Sequence, residues 1–175
     1  MSLKSNFGTF IDRSINELRT GRPIVIKENK NYWMFFNIEH SENKILNQFN
    51  KYLLKEKYLL ITKQKAQSIF NNKITSNIFL KIDKKISNKS ILNLFINPLS
   101  NQNKLLFKNV VCNKSRDFHN VCLDIAKNAK VIPSLIFKKI NSKYYKNIDN
   151  LILQLGLLKF NHKELKNQNK FITNS

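Results

Sequence analysis

Apolar residues alternate between helical and strand spacing along this chain. Phe10, Ile11, Ile15 and Leu18 recur on one helical face behind Thr9 and Asp12, predicting an amphipathic helix of about three turns that Gly21 ends. Residues 23–27 follow as a short buried strand, because Ile24, Val25 and Ile26 are β-branched and come directly after Gly-Arg-Pro. Ile45, Phe49, Tyr52 and Leu53 predict a second helix over residues 41–56. Strand-like runs come next at residues 58–62, 78–82 and 105–111, with helical segments near 63–70 and 90–95 between them, the latter closed by Asn97-Pro98. Val121, Cys122, Ile125 and Ala129 form an apolar stripe over residues 118–130. A strand at 135–140 and a helix carrying Ile148, Leu151, Ile152 and Leu155 complete the pattern. Alternation of this kind implies a layered α/β or α+β domain around a mixed sheet. With no internal repeat and no Pro/Gly/Ser-rich linker, one domain over residues 1–160 is expected, followed by a loosely held basic tail at 161–175.

Length and charge narrow the partners. A chain of 175 residues can bury a core without disulfides or metals, and its two cysteines make no disulfide framework. The richest apolar run, residues 148–160, is broken by Asp149, Asn150, Gln154 and Gly156, so no membrane span is expected. No signal-peptide core opens the chain, and a cytoplasmic location is expected. Lys and Arg outnumber Asp and Glu by 31 to 11, for a formal net charge of +20. Only Arg13, Arg19, Arg22 and Arg116 carry the bidentate guanidinium that base and phosphate recognition favours. Lys, Asn, Ile and Phe are enriched together, as an A+T-biased genome would impose, so weak, non-specific nucleic-acid binding is the most that this charge implies.

Two segments carry a family resemblance. Residues 16–26, NELRTGRPIVI, and residues 119–140, HNVCLDIAKNAKVIPSLIFKKI, resemble the two ends of 3,4-dihydroxy-2-butanone 4-phosphate synthase of riboflavin biosynthesis. The family opens on Leu-Arg-x-Gly-Arg-Pro and a hydrophobic strand, which residues 18–26 match. Its later pattern, Asp-Leu-Ala-Arg-x-Ala-Gly-x-x-Pro, is kept here at Asp124, Ala126, Ala129 and Pro133, and residues 147–157 resemble its late helix and closing Gly-Leu. The resemblance implies an α+β, three-layer domain with a mixed twisted sheet. It also implies a homodimer, and a GTP cyclohydrolase II domain or partner, since many family members are fused to one.

The departures from the family that bear on function fall on chemistry. The family's acidic loop, whose carboxylates hold magnesium and serve as acid and base on a sugar phosphate, reads Lys27-Glu28-Asn29-Lys30-Asn31-Tyr32 here, with Glu28 its only carboxylate. A hard divalent cation wants several oxygen ligands, which one glutamate among lysines does not supply. Glu28 is therefore expected to face solvent or to pair with a neighbouring lysine, while Glu39 and Glu42 are read as surface or first-turn residues. Counting back from Asp124 places Phe118 where the family has its metal-binding histidine, with His119 turned about 100° further round the helix. Lys139 stands where the family closes its strand with glutamate, and Lys84, Lys85 and Lys89 replace the loop that grips the substrate.

Other chemistry has little support. His40, His119 and His162 are widely separated and are read as surface or partly buried residues, and Cys112 and Cys122 as core. Gly8, Gly21 and Gly156 lie too far apart for a phosphate loop. The aromatic run at residues 32–36 is read as core or subunit interface rather than a base-stacking platform. The expectation is a degenerate, non-catalytic relative with a structural or regulatory role linked to riboflavin biosynthesis. No catalytic, cofactor-binding or metal residue is assigned and no cofactor is expected, although the family uses magnesium. Two alternatives stand: a divergent active synthase converting ribulose 5-phosphate to the butanone phosphate and formate, and a polyanion-binding module on the same fold.

Overall fold

The computed structural model describes residues 3–70, 74–97 and 112–166. Helix α1 (Leu3–Arg19) leads into a hairpin of β1 (Ile24–Glu28) and β2 (Asn31–Asn37). Then come α2 (Lys44–Phe49), β3 (Leu53–Ile61), α3 (Lys63–Phe70), β4 (Ile78–Ile82), α4 (Asn88–Ile96) and β5 (Cys112–Lys114). The chain closes with α5 (Asp117–Asn128), β6 (Ser134–Ile140), α6 (Ile148–Gln154), β7 (Leu158–Asn161) and α7 (His162–Lys166). The seven strands form one sheet in the order β5-β4-β3-β6-β2-β1-β7. Every neighbouring pair is antiparallel except β1 and β7. This is the expected α+β architecture with a mixed sheet.

Strand alternation sorts the side chains onto two faces. Val25, Met34, Phe36, Leu59, Leu80 and Ile136 meet the buried residues of α2, α3, α4 and α6 on one face. Ile24, Ile26, Phe35, Leu60 and Phe137 meet Leu18 of α1 and the apolar stripe of α5 on the other. The result is three layers. Most of the aromatic run is core: Tyr32, Met34, Phe35 and Phe36 are buried, Trp33 is half-buried, and Phe35 stacks on Phe137 with ring centroids 5.0 Å apart.

The family-like motifs hold junctions together. Gly21 ends α1 at φ +76°, where a Cβ would sit 2.7 Å from the His40 ring, so only glycine fits there. Arg22 donates from Nε to Glu17 at 2.7 Å and from Nη2 to the Gly156 carbonyl at 2.8 Å, tying the start of β1 to the end of α6. Arg19 Nε reaches the Ala129 carbonyl at the end of α5, at 3.5 Å. Asn37 donates to the Ile132 carbonyl at 2.6 Å while its Oδ1 accepts from the Glu39 N–H, and Glu39 in turn accepts from the Ile132 N–H. Glu39 is thus a loop brace.

One expectation changes, and two fall wholly or partly outside the described residues. The helix expected over residues 41–56 lasts only from Lys44 to Phe49, because Leu53 pairs with Ile140 and is drawn into the sheet, with a register shift between Leu53 and Lys57 absorbing the mismatch. Sheet pairing overrides the helical spacing of Ile45, Phe49, Tyr52 and Leu53. The strand expected at residues 105–111 lies outside the described residues. The tail expected from 161 is described only as far as Lys166, with Asn161 partnering Lys27 in β7 and His162 Nδ1 3.2 Å from the Lys27 carbonyl oxygen, and its residues 167–175 lie outside the described residues.

Lys130 occupies the position of the family's glycine after Ala129 and keeps a left-handed φ of 57°, with its N–H bonded to the Lys127 carbonyl and the Val131 N–H bonded to that of Ala126. A lysine pays for a backbone that glycine adopts freely. Lys130→Gly is expected to raise stability by about 1 kcal/mol, read from the urea unfolding midpoint.

Candidate functional site

A cavity of about 350 Å³ opens on the α1/α5 face, where β1, β2, β3 and β6 meet the start of α5. Glu28, Trp33, Tyr58, Arg116, His119 and Lys139 line it, and Glu56 adds a second carboxylate. The fold brings them together from distant positions. Trp33 and Lys139 are register partners on β2 and β6, Glu28 ends β1, and Arg116 and His119 stand at the head of α5.

Glu28 is where the sequence reading needs correction. It does not face solvent and does not pair with a lysine: it is 7% exposed, forms an ion pair with Arg116, and accepts from Trp33 Nε1 at 3.1 Å. The reason is the hairpin turn, in which Asn29 takes φ 54° and leaves Glu28 on the same sheet face as Trp33, beneath the head of α5. Glu56 is likewise paired, with Lys81.

His119 is the second correction, because it is fully buried rather than a surface or partly buried residue. Its Nδ1 accepts the Arg116 N–H at 3.1 Å, capping the helix, and its ring stacks on Phe79 with centroids 4.3 Å apart and an interplanar angle of 23°. Phe118 is buried too, against the α5-side core, so both positions at the head of α5 point inward. Burial, then the nearby Arg116 charge, lowers the His119 pKa to about 3, so the ring is neutral at physiological pH. Lys139 lines the cavity as its position on β6 requires, and Cys122 is fully buried with its thiol pushed up by desolvation, which makes it core. His40 and His162 are each half-buried and lie away from this cavity.

Arg116, Trp33, Tyr58 and Glu56 were not singled out in the sequence as site residues. Arg116 alone had a usable signal, its i, i+3 spacing to His119 across a helix start. Among the described residues no three His, Cys, Asp or Glu side chains converge where they could hold a metal ion. The donor set does not fit magnesium: both carboxylates at the cavity are engaged by cations, and Arg116 and Lys139 repel a further one.

Solved structures place the fold. A two-domain 3,4-dihydroxy-2-butanone 4-phosphate synthase from A. baumannii superposes with a TM-score of 0.61 at 9% identity, covering 89% of this chain and 56% of that one. The synthase of Candida albicans gives 0.57 at 9% identity, covering 90% of this chain and 95% of that one. A synthase in complex with two magnesium ions gives 0.54 at 6% identity, covering 89% and 94%. The fold is that of 3,4-dihydroxy-2-butanone 4-phosphate synthase. Sequence comparison finds a different relative, the small ribosomal subunit protein uS3m of Vanderwaltozyma polyspora, 29% identical over 111 residues. That match covers 61% of this chain and 49% of that protein, so the chain spans about half the length of the curated relative it matches. No family model matches the chain. Among the described residues no helix is long and apolar enough to cross a membrane.

A histidine whose folded pKa lies below its unfolded value of about 6.5 favours the folded state fully above that value. This contribution is lost as pH falls from about 6.5 toward 3, because the unfolded chain takes up the proton first. His119→Phe keeps an aromatic ring against Phe79 and removes the titration. Its urea midpoint is expected to fall less steeply than the wild type's between pH 6.5 and 4; parallel curves would show that His119 titrates normally.

Proposed function

We propose that this chain is a non-catalytic 3,4-dihydroxy-2-butanone 4-phosphate synthase-like domain with a structural or regulatory role linked to riboflavin biosynthesis. The observation that carries the reading is the pairing of both cavity carboxylates, Glu28 with Arg116 and Glu56 with Lys81. Removing a ketose proton and stabilising the enediolate calls for a free base, an acid and a concentrated positive charge from a metal. Here the one buried carboxylate already accepts from a guanidinium and an indole, and the histidine beside it spends its acceptor nitrogen on the backbone. Lys139 sits where the family has its glutamate. Groups that act as a unit do not each leave a share of the activity behind.

The motifs that match the family serve the fold rather than the chemistry, which supports the same reading. Arg19, Gly21 and Arg22 hold three junctions and, among the described residues, touch no cavity residue through a hydrogen bond. No cofactor belongs to this reading. A homodimer does, resting on the family resemblance, since Tyr32, Met34, Phe35 and Phe36 of the aromatic run are absorbed in the core and Trp33 lines the cavity. A GTP cyclohydrolase II domain or partner likewise belongs to it, in keeping with the two-domain structural neighbour. The ribosomal-protein match and the net charge of +20 are consistent with diffuse, salt-dependent attraction to nucleic acid, since scattered lysines neutralise phosphates without reading bases. Location in the cytoplasm completes the proposal.

The test is formate release from ribulose 5-phosphate with magnesium present. Turnover indistinguishable from the uncatalysed background is expected. Turnover above background that Glu28→Gln abolishes would establish a divergent active synthase instead.

A further inference from the structure

The opposite face of the sheet holds a second cavity, of about 270 Å³, whose charges are of one sign. Lys55 and Lys57 of β3, Lys138 of β6 and Lys84 of the β4–α4 loop line it, and no carboxylate does. Lys57 is 9% exposed on a strand face whose next members, Leu59 and Ile61, are fully buried core residues. Its cross-strand partner in register is Lys138. Like charges directly opposite each other on adjacent strands destabilise a sheet.

Among the described residues no carboxylate forms an ion pair with either of them. Lys57 Nζ donates to the Ile86 carbonyl and, at 3.2 Å, to Asn88 Oδ1, and Lys138 Nζ lies 3.5 Å from Asn50 Oδ1. All three acceptors are neutral, and among the described residues none of the four lysines has a carboxylate partner. Lys57 has used two of its three donors, which leaves one for a ligand. Burial, then the Lys138 charge, lowers the Lys57 pKa, and burial lowers that of Lys138, as happens to ammonium groups drawn together without a counterion. Ser41, Asn50 and Asn88 add neutral hydrogen-bonding groups to the wall.

We propose that this cavity binds the phosphate group of free phosphate or a small phosphomonoester, with Lys57 and Lys138 at its base and Lys55 and Lys84 at its sides. An anion there offsets the like-charge repulsion and supplies the acceptors that the ammonium groups lack. The volume holds a phosphate with a short organic substituent. The site lies across the sheet from the Glu28 cavity and does not depend on the reading given for it.

Calorimetric titration with inorganic phosphate tests the proposal in the intact chain. Saturable binding is expected, weakened about tenfold or more in Lys57→Met/Lys138→Met, consistent with the loss of two charge-assisted contacts. Lys127→Met/Lys159→Met removes the same charge from exposed, ion-paired positions and should bind phosphate within about twofold of wild type. Lys84→Met changes only an exposed loop residue and should weaken binding about threefold, which keeps the test decisive if the double variant fails to fold. Absence of saturable binding, or equal weakening in the two double variants, overturns the proposal. So does an RNA decamer without terminal phosphates that displaces phosphate through Lys57 and Lys138, since the site would then belong to a nucleic-acid backbone.

Discussion

The structure depends on the insertion of β6 between β2 and β3. A strand from residues 134–140 pairs on one side with residues 33–37 and on the other with residues 53–61, so it joins the β1-β2-β7 half of the sheet to the β3-β4-β5 half. Leu135, Ile136, Phe137 and Ile140 are buried, dividing between the two core layers. Because consecutive strand residues point to opposite faces, the end of β6 sends Lys138 into one cavity and Lys139 into the other. A shift of one residue in this pairing would exchange them and turn the core outward.

Around that strand the chain separates what keeps the fold from what performs chemistry. Arg22 accounts for the family-like Gly-Arg-Pro turn without any reaction, since it joins a helix end to the start of a strand. Even with lysine rather than glycine at position 130, the left-handed turn that ends α5 is in place. The opposite holds at the cavity, where the carboxylates close on neighbouring cations and the histidine is fixed by a backbone N–H and an aromatic stack. The fold and whatever happens at the cavity thus rest on different residues.

Much of the layer arrangement was legible in the sequence, because the apolar spacing of α1, β1, β4, α5 and β6 agrees with the burial each later shows. The short α2 was not legible, since only the pairing of Leu53 with Ile140 decides between helix and strand there. β7 was missed because Leu158 and Phe160 follow a helical run with little break, and their strand forms by parallel pairing to β1, more than a hundred residues earlier. At the site, a count along the sequence placed Phe118 and His119 on different sides of a helix. The head of α5 instead packs both against the sheet, and the partner of Glu28 was an arginine far along the chain.

The central claim is that the Glu28 cavity has no oxygen ligands to spare for a divalent cation. Manganese titration followed by water-proton relaxation measures this directly, because manganese takes the same hard-oxygen ligands as magnesium and reports binding without turnover. The account predicts no saturable binding into the millimolar range, in wild type and in Glu28→Gln alike. Stoichiometric manganese binding that Glu28→Gln removes would contradict it.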